Sequence, residues 1–247
     1  MSTTVPTDKR VSTLTLLHRE HIAPYTMSFW FRDEPEIDFV PGQYIQVVLP
    51  HADPDERGIR RLFTISSSPT EEGIMITTKI PEPHSTFKRA LTALEPGDRM
   101  AVTMVRGTLV LPDDPAVPCA LLAAGIGITP YRSMVKYMVD TGLSRPTSLI
   151  YGEWAVEDFI FREVFAEGER GFGLKTVYTI TGPHVPDGWL GRTGLIDQRM
   201  IREEIPDYDD RLFFVCGSPP SVIAIETVLL DLGLTRDRIK RDYFPGY

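Results

Sequence analysis

The sequence predicts two domains: an N-terminal antiparallel Greek-key β-barrel over residues 1–114, and a C-terminal α/β domain built on a parallel sheet over residues 115–247. Three observations carry this division. Up to about residue 112 the chain holds short β-branched or alternating runs separated by turn formers. From about Val117 onward, strand-like runs alternate with segments of helical apolar spacing. Between these textures lies Pro112–Val117, rich in proline and aspartate, where the boundary is placed.

In the first half the strand candidates are Val11–Leu17, Thr26–Phe31, Tyr44–Leu49, Leu62–Ser66, Ile74–Ile80, Arg99–Val105 and Leu109–Leu111. Pro41-Gly42, Ser68-Pro69 and Pro96-Gly97 supply turns between them. One short helix is expected at Thr86–Leu94, with Ser85 as its N-cap. In the second half the strand candidates are Cys119–Ala124, Thr147–Tyr151, Thr176–Thr181 and Leu212–Cys216. Helical spacing is carried by Met134, Tyr137 and Met138 over Thr129–Val139, and by Phe159, Ile160, Val164 and Phe165 over Ala155–Glu167. A further helix, Ser221–Leu232, follows Pro219-Pro220, residues that suit a first helical turn.

Composition narrows the function. Of 247 residues, 42% are hydrophobic and 24% charged, enough for ordinary globular cores. A net charge of −8 gives the chain no general attraction to nucleic acid or to anionic membranes, although Arg60-Arg61 and Lys88-Arg89 are local basic patches. Met1–Arg10 is polar, and no apolar run of spanning length occurs, so no membrane insertion and a cytoplasmic location are expected. The two cysteines, Cys119 and Cys216, cannot ligate an iron–sulfur cluster or a thiolate zinc site. None of the five histidines stands in a metal-binding spacing; they read as surface or loop residues.

Three segments carry chemistry. Ala124-Gly125-Ile126-Gly127-Ile128-Thr129-Pro130 follows an apolar strand and opens a helix. Glycines there admit a pyrophosphate close to the backbone, and a helix N-terminus offers free N–H groups. A plain strand-to-helix turn is the other reading. Val215-Cys216-Gly217-Ser218-Pro219-Pro220 repeats the pattern, and two such turns in one sheet can face one extended ligand. Cys216 could sit beside a reacting ring or simply be a small buried strand residue. In the first half, Arg60-Arg61-Leu62-Phe63-Thr64-Ile65 places Arg61 and Phe63 on one strand face and Leu62 and Thr64 on the other. An arginine can hold phosphate and an aromatic can cover a planar ring; a polar-edged strand is the alternative.

Together, in this order, these segments resemble the ferredoxin–NADP reductase superfamily. Arg61-Leu62-Phe63-Thr64 is similar to its Arg-x-Tyr-Ser/Thr flavin motif, with Phe63 in the tyrosine position. Pro41-Gly42-Gln43-Tyr44, Glu95-Pro96-Gly97-Asp98, Gly125–Pro130, Cys216–Pro219 and Gly188–Gly194 match further motifs, spread over nearly the whole chain. The resemblance implies FAD, with FMN as the alternative, and NADH or NADPH as electron donor. By the same resemblance Arg61 would bind the flavin phosphate, Phe63 would pack on the flavin, and Thr64 would hydrogen-bond near its N5. Thr77, Thr78 and Lys79 would line the ring and ribityl chain.

The family's usual phosphate motif is replaced by Pro83-His84-Ser85-Thr86-Phe87-Lys88, where Ser85 and Thr86 are the candidates. On the nicotinamide side the resemblance assigns Gly125, Gly127, Ile128, Thr129, Pro130, Cys216, Gly217, Ser218 and Pro219. Phe244, or secondarily Tyr247, would shield the flavin, and Asp242 stands where relatives often carry glutamate. Glu153 would repel a 2′-phosphate and accept bonds from a free ribose, which favours NADH; Arg162 and Lys175 lie near enough to oppose that reading. The expected mechanism presents the nicotinamide over the flavin, with Thr64 and Cys216 nearest the transferring hydride. Electrons then pass to a separate acceptor: a ferredoxin, a flavodoxin or an oxygenase component. A free-flavin or small-molecule reductase, or a non-catalytic electron-transfer subunit, are the alternatives.

Overall fold

The computed structural model describes residues 11–244; residues 1–10 and 245–247, Tyr247 among them, lie outside the described residues. The chain divides into two compact units, Met1–Val110 and Leu111–Tyr247.

The first unit holds six antiparallel strands: β1 (Ser12–Ala23), β2 (Thr26–Glu34), β3 (Tyr44–Val48), β4 (Arg60–Thr64), β5 (Ile74–Lys79) and β6 (Arg99–Arg106). Their order is β4-β3-β6-β1-β2-β5, so the last strand inserts between the first and third, as in a Greek key. The edge strands close on each other just past β4, where Ile65 bridges Ile76 and the Ser66 N–H donates to the Met75 carbonyl at 2.8 Å. Closure removes the exposed edges that an open sheet would present. Alternation decides which side chains fill the barrel: Met27, Phe29 and Phe31 of β2 point inward, as do Ile74 and Ile76 of β5. Helix α1 (Thr86–Thr92) sends Phe87 and Leu91 into the same core, each fully buried. Burying one such side chain contributes about 1.5–3 kcal/mol. Ser85 caps this helix, its Oγ accepting from the Lys88 N–H at 3.2 Å.

Two sequence expectations fail locally. Leu109–Leu111 is not a strand; three residues that pair with nothing along a ladder form only a connection, although Leu109 is buried. β1 runs six residues beyond the expected end, past bulges at Leu16/His18 and His21/Ala23, because its polar residues face solvent along a long hairpin with β2.

The second unit is a parallel sheet of β7 (Cys119–Ala124), β8 (Thr147–Glu153), β9 (Lys175–Ile180), β10 (Arg192–Thr193), β11 (Leu212–Gly217) and β12 (Ile239–Tyr243), in the order β10-β9-β8-β7-β11-β12. The helices are α2 (Thr129–Thr141), α3 (Arg162–Phe172), α4 (Gln198–Glu204) and α5 (Pro219–Asp231). Met200 and Ile201 of α4 and Val222 and Leu229 of α5 share a core with Ala120, Leu122, Phe213 and Val215 of the sheet. α2 packs on α3, where a Cβ on Gly168 would stand 2.9 Å from Val135 Cγ1.

The helix expected over Ala155–Glu167 is a correction. Residues Val156–Asp158 form one 3-10 turn, and Phe161 has a left-handed φ of 62° immediately before α3 begins at Arg162. Phe159 and Ile160 are buried, but from a loop; their apolar spacing imitated a helical face. No helix among the described residues is long and apolar enough to cross a membrane.

Candidate functional site

The strand order reverses between β7 and β11, the point at which open α/β sheets bind ligands beyond their strand ends. Both strands end there in glycine turns, and the turns interlock. A Cβ on Gly127 would lie 2.1 Å from the Cys216 carbonyl oxygen and 2.4 Å from its carbon. A Cβ on Gly217 would lie 2.8 Å from the Ala124 carbonyl oxygen. Only residues without side chains allow this approach. Gly125 turns the chain with a φ of 61°, and a 3-10 turn over Gly125–Ile128 leads into α2.

The side chains of this turn look inward. Ile128, Thr129 and Pro130 are buried, and the Thr129 hydroxyl donates to the Ile126 carbonyl at 3.1 Å. The turn therefore offers a ligand its backbone near Ala124 and Gly125, which are partly exposed. Across from it Ser218 caps α5, its Oγ accepting from the Ser221 N–H at 3.4 Å, with Pro219 in the first turn. Ser218 and Pro219 are also partly exposed. Two helix N-termini and two bare backbone turns meet at one sheet end, an arrangement that in general suits phosphate-bearing ligands.

Cys216 is fully buried near Tyr131 and Asp242. Burial, reinforced by Asp242, pushes its thiol well above the ordinary range. It is therefore a neutral thiol at physiological pH, with neither nucleophilic nor basic character. Asp242 sits opposite it in the β11–β12 register, its carboxyl raised by burial. Phe244 follows β12, and its N–H donates to the Gly217 carbonyl at 2.9 Å, which ties the tail to the glycine turn. Glu153 ends β8 as a buried carboxylate accepting from the Tyr151 hydroxyl at 3.1 Å. Beside it stands a pile of rings: Phe159 stacks on Trp189 at 5.7 Å and meets Tyr151 and Tyr178 edge-on at 5.1 Å each. Exposed Arg162 lies over the Tyr178 ring at 5.4 Å, and Lys175 is held by Glu204 at 2.9 Å. Of the two cations that could favour a 2′-phosphate, only Arg162 stands at this ring cluster.

In the barrel unit, β4 gives the alternation read from sequence. Arg61 and Phe63 both reach Phe87, the guanidinium 5.0 Å from its ring centre and the two phenyl rings 6.0 Å apart. Leu62 is exposed on the opposite face. Thr64, on that face too, is buried, and its Oγ1 has no hydrogen-bond partner among the described residues. A buried hydroxyl left without a partner costs about 1–3 kcal/mol, which a ligand edge would recover. This orphaned atom fits the flavin expected there. Thr77 shares a hydrogen bond with Ser28 at 2.8 Å, and Thr78 is buried beside it on β5. Lys79 contributes its carbonyl, which accepts from Lys88 Nζ at 2.7 Å.

The phosphate end differs from expectation in what surrounds it. Arg61 is paired with Asp55 at 3.1 Å, and Thr86 Oγ1 accepts from the Asp55 N–H at 2.9 Å and bonds His51 Nε2 at 3.1 Å. Burial pulls the Asp55 carboxyl upward, but the Arg57 amide and the Arg61 and Arg57 charges outweigh it and hold it below its usual value. Lys88 is driven down to about 8, first by burial and then by Arg57 and Arg61. Arg57, Arg61 and Lys88 thus gather cationic charge around α1. His51 and Asp55 meet Thr86 across 35 and 31 residues of chain, a long-range contact that no local pattern announces; the basic pairs at Arg60-Arg61 and Lys88-Arg89 were the available signal.

Residues 121–226 match the oxidoreductase NAD-binding domain family. NADH-cytochrome b5 reductase 1 of Aspergillus oryzae is 27% identical over 209 residues, covering 80% of this chain and 69% of that protein. The glycine betaine monooxygenase reductase subunit of Chromohalobacter salexigens is 29% identical over 217 residues, and the chain spans only 58% of its length. A Neisseria gonorrhoeae ferredoxin NADP+ reductase, solved with bound FAD and NADP, superposes with a TM-score of 0.77 at 19% identity, over 94% of this chain and 97% of that one. The chain thus carries an oxidoreductase NAD-binding segment and shares its two-domain fold with that ferredoxin NADP+ reductase.

Proposed function

We propose that the chain is a flavin-dependent NAD(P)H oxidoreductase that takes electrons from a nicotinamide and delivers them to a separate acceptor. The observation that carries this reading is the interlock of the Gly127 and Gly217 turns at the switch point, within the segment matched by the NAD-binding family. The flavin, FAD by family habit, would lie along β4 and β5. When bound, it accepts a hydride from the nicotinamide and releases electrons onward.

The chain's own residues position and shield. The Gly125 and Gly217 turns admit a pyrophosphate, and Ser218 fixes the α5 N-terminus against it. Thr64 Oγ1 holds a flavin edge, while Arg61 and Lys88 supply charge for its phosphates. Cys216 forms a neutral wall and takes no proton, which suits hydride transfer, where positioning supplies much of the rate. Glu153, a buried carboxylate at the β8 end, supports NADH over NADPH. Relatives named as a monooxygenase reductase subunit and as an N-demethylase reductase subunit support a separate oxygenase component as acceptor, with ferredoxin or flavodoxin as the other candidates.

The test is the absorption spectrum of the purified protein before and after incubation with FAD and removal of excess. A retained flavin spectrum supports the reading; a protein that stays colourless contradicts it.

A further inference from the structure

Arg61 is the cation assigned to the flavin phosphate, yet both terminal nitrogens of its guanidinium already hold acceptors. Nη2 bonds Asp55 Oδ1 at 3.1 Å, and Nη1 donates to the carbonyls of Arg57, Gly58 and Arg60 at 2.9, 3.0 and 2.7 Å. The two side chains of the ion pair are only 17% and 25% exposed. The same loop also grips the second phosphate candidate, since the Asp55 N–H and His51 both bond Thr86 Oγ1. One short segment therefore holds both Arg61 and Thr86, two of the groups that would meet a phosphate.

We propose that Asp55 is a built-in competitor for the phosphate seat: the loop over residues 51–58 latches Arg61 and Thr86 closed, and a phosphate-bearing flavin binds by displacing the Asp55 carboxylate. This rests on the flavin reading given above. A phosphate and a carboxylate seek the same guanidinium fork, and two anions on one fork repel. Asp55 has somewhere to go, because Arg57 already stands 3.7 Å from its other oxygen. Once Asp55 leaves, the Arg61 Nη2 that it held faces the incoming phosphate. The competition lowers affinity for FAD and FMN but not for riboflavin, which lacks a phosphate. Flavin in this chain is then exchangeable rather than permanently held.

The experiment measures dissociation constants for FAD, FMN and riboflavin by flavin fluorescence, with the wild-type chain, Asp55→Asn, Asp55→Ala and Glu56→Gln. Glu56 is exposed in the same loop and controls for the loss of one negative charge. Both Asp55 variants are expected to bind FAD and FMN about tenfold more tightly, a shift of about 1.4 kcal/mol, with riboflavin unchanged and Glu56→Gln within about twofold of wild type. Asp55 variants that bind FAD no more tightly, or that tighten riboflavin equally, overturn the inference alone, as does a Glu56 effect of the same size. Failure of every form to bind any flavin overturns the flavin reading and the inference with it.

Discussion

Gly127 rests directly on the Cys216 carbonyl, 89 residues along the chain, so closely that no side chain fits between the two glycine turns. Gly127→Ala would place a Cβ 2.1 Å from that oxygen, against backbone that cannot swing aside. The variant should lose about 1–3 kcal/mol of stability and bind nicotinamide nucleotides at least tenfold more weakly. Gly152→Ala is the mild comparison, because the nearest atom to its new Cβ would be Thr179 Cγ2 at 3.3 Å, a side-chain methyl. Thermal unfolding and nucleotide titration of both variants check the contrast.

Thr64 should show opposite effects on stability and function. Thr64→Val removes a buried hydroxyl that has no partner among the described residues, so the flavin-free protein should be as stable as wild type or more stable by up to about 1 kcal/mol. Flavin binding should weaken by about tenfold in the same variant. A loss of stability without any change in flavin affinity would show that the hydroxyl serves the fold.

Lys88 should make flavin binding depend on pH. Its folded value of about 8 lies below the ordinary lysine value because burial, Arg57 and Arg61 disfavour the charged form. The unfolded chain therefore binds more protons between about pH 8 and 10, and this lysine makes stability rise with pH across that window. A bound phosphate acts in the opposite direction by favouring the ammonium, so affinity should be full below pH 8 and decline as pH rises through it. FAD dissociation constants at pH 7 and pH 9 should differ several-fold in wild type and converge in Lys88→Met.

Nucleotide choice should follow Glu153. Replacing this buried carboxylate with glutamine keeps a group able to bond the Tyr151 hydroxyl while removing the charge that opposes a 2′-phosphate. The kcat/KM ratio for NADH over NADPH should fall about three- to tenfold in Glu153→Gln. An unchanged ratio would assign discrimination to Arg162 instead.

Much of this fold was legible wherever local pattern and tertiary role agreed. Cys119–Ala124 is a strand with the predicted ends because an apolar run bounded by proline and glycine has few other uses. Alternation along β4 correctly placed Arg61 and Phe63 together. Elements whose identity depends on distant partners were illegible. β10 is two residues long and exists only by pairing with β9, and α4 is a charged seven-residue helix whose signals were Asp197 as N-cap and the Met200-Ile201 pair. The left-handed Phe161 broke an apolar period that looked continuous. At the site, sequence named the glycines but not their contact, and named Arg61 but not the Asp55 that occupies it. Those meetings are made by sheet order and barrel closure, which no local window contains.

The central claim, hydride transfer from a nicotinamide to a flavin held by this chain, is tested most directly by anaerobic titration of the FAD-loaded protein with NADH and then NADPH. The account predicts bleaching of the flavin band by about one equivalent of NADH, with NADPH slower. A flavin band that persists in excess of both nucleotides would contradict it.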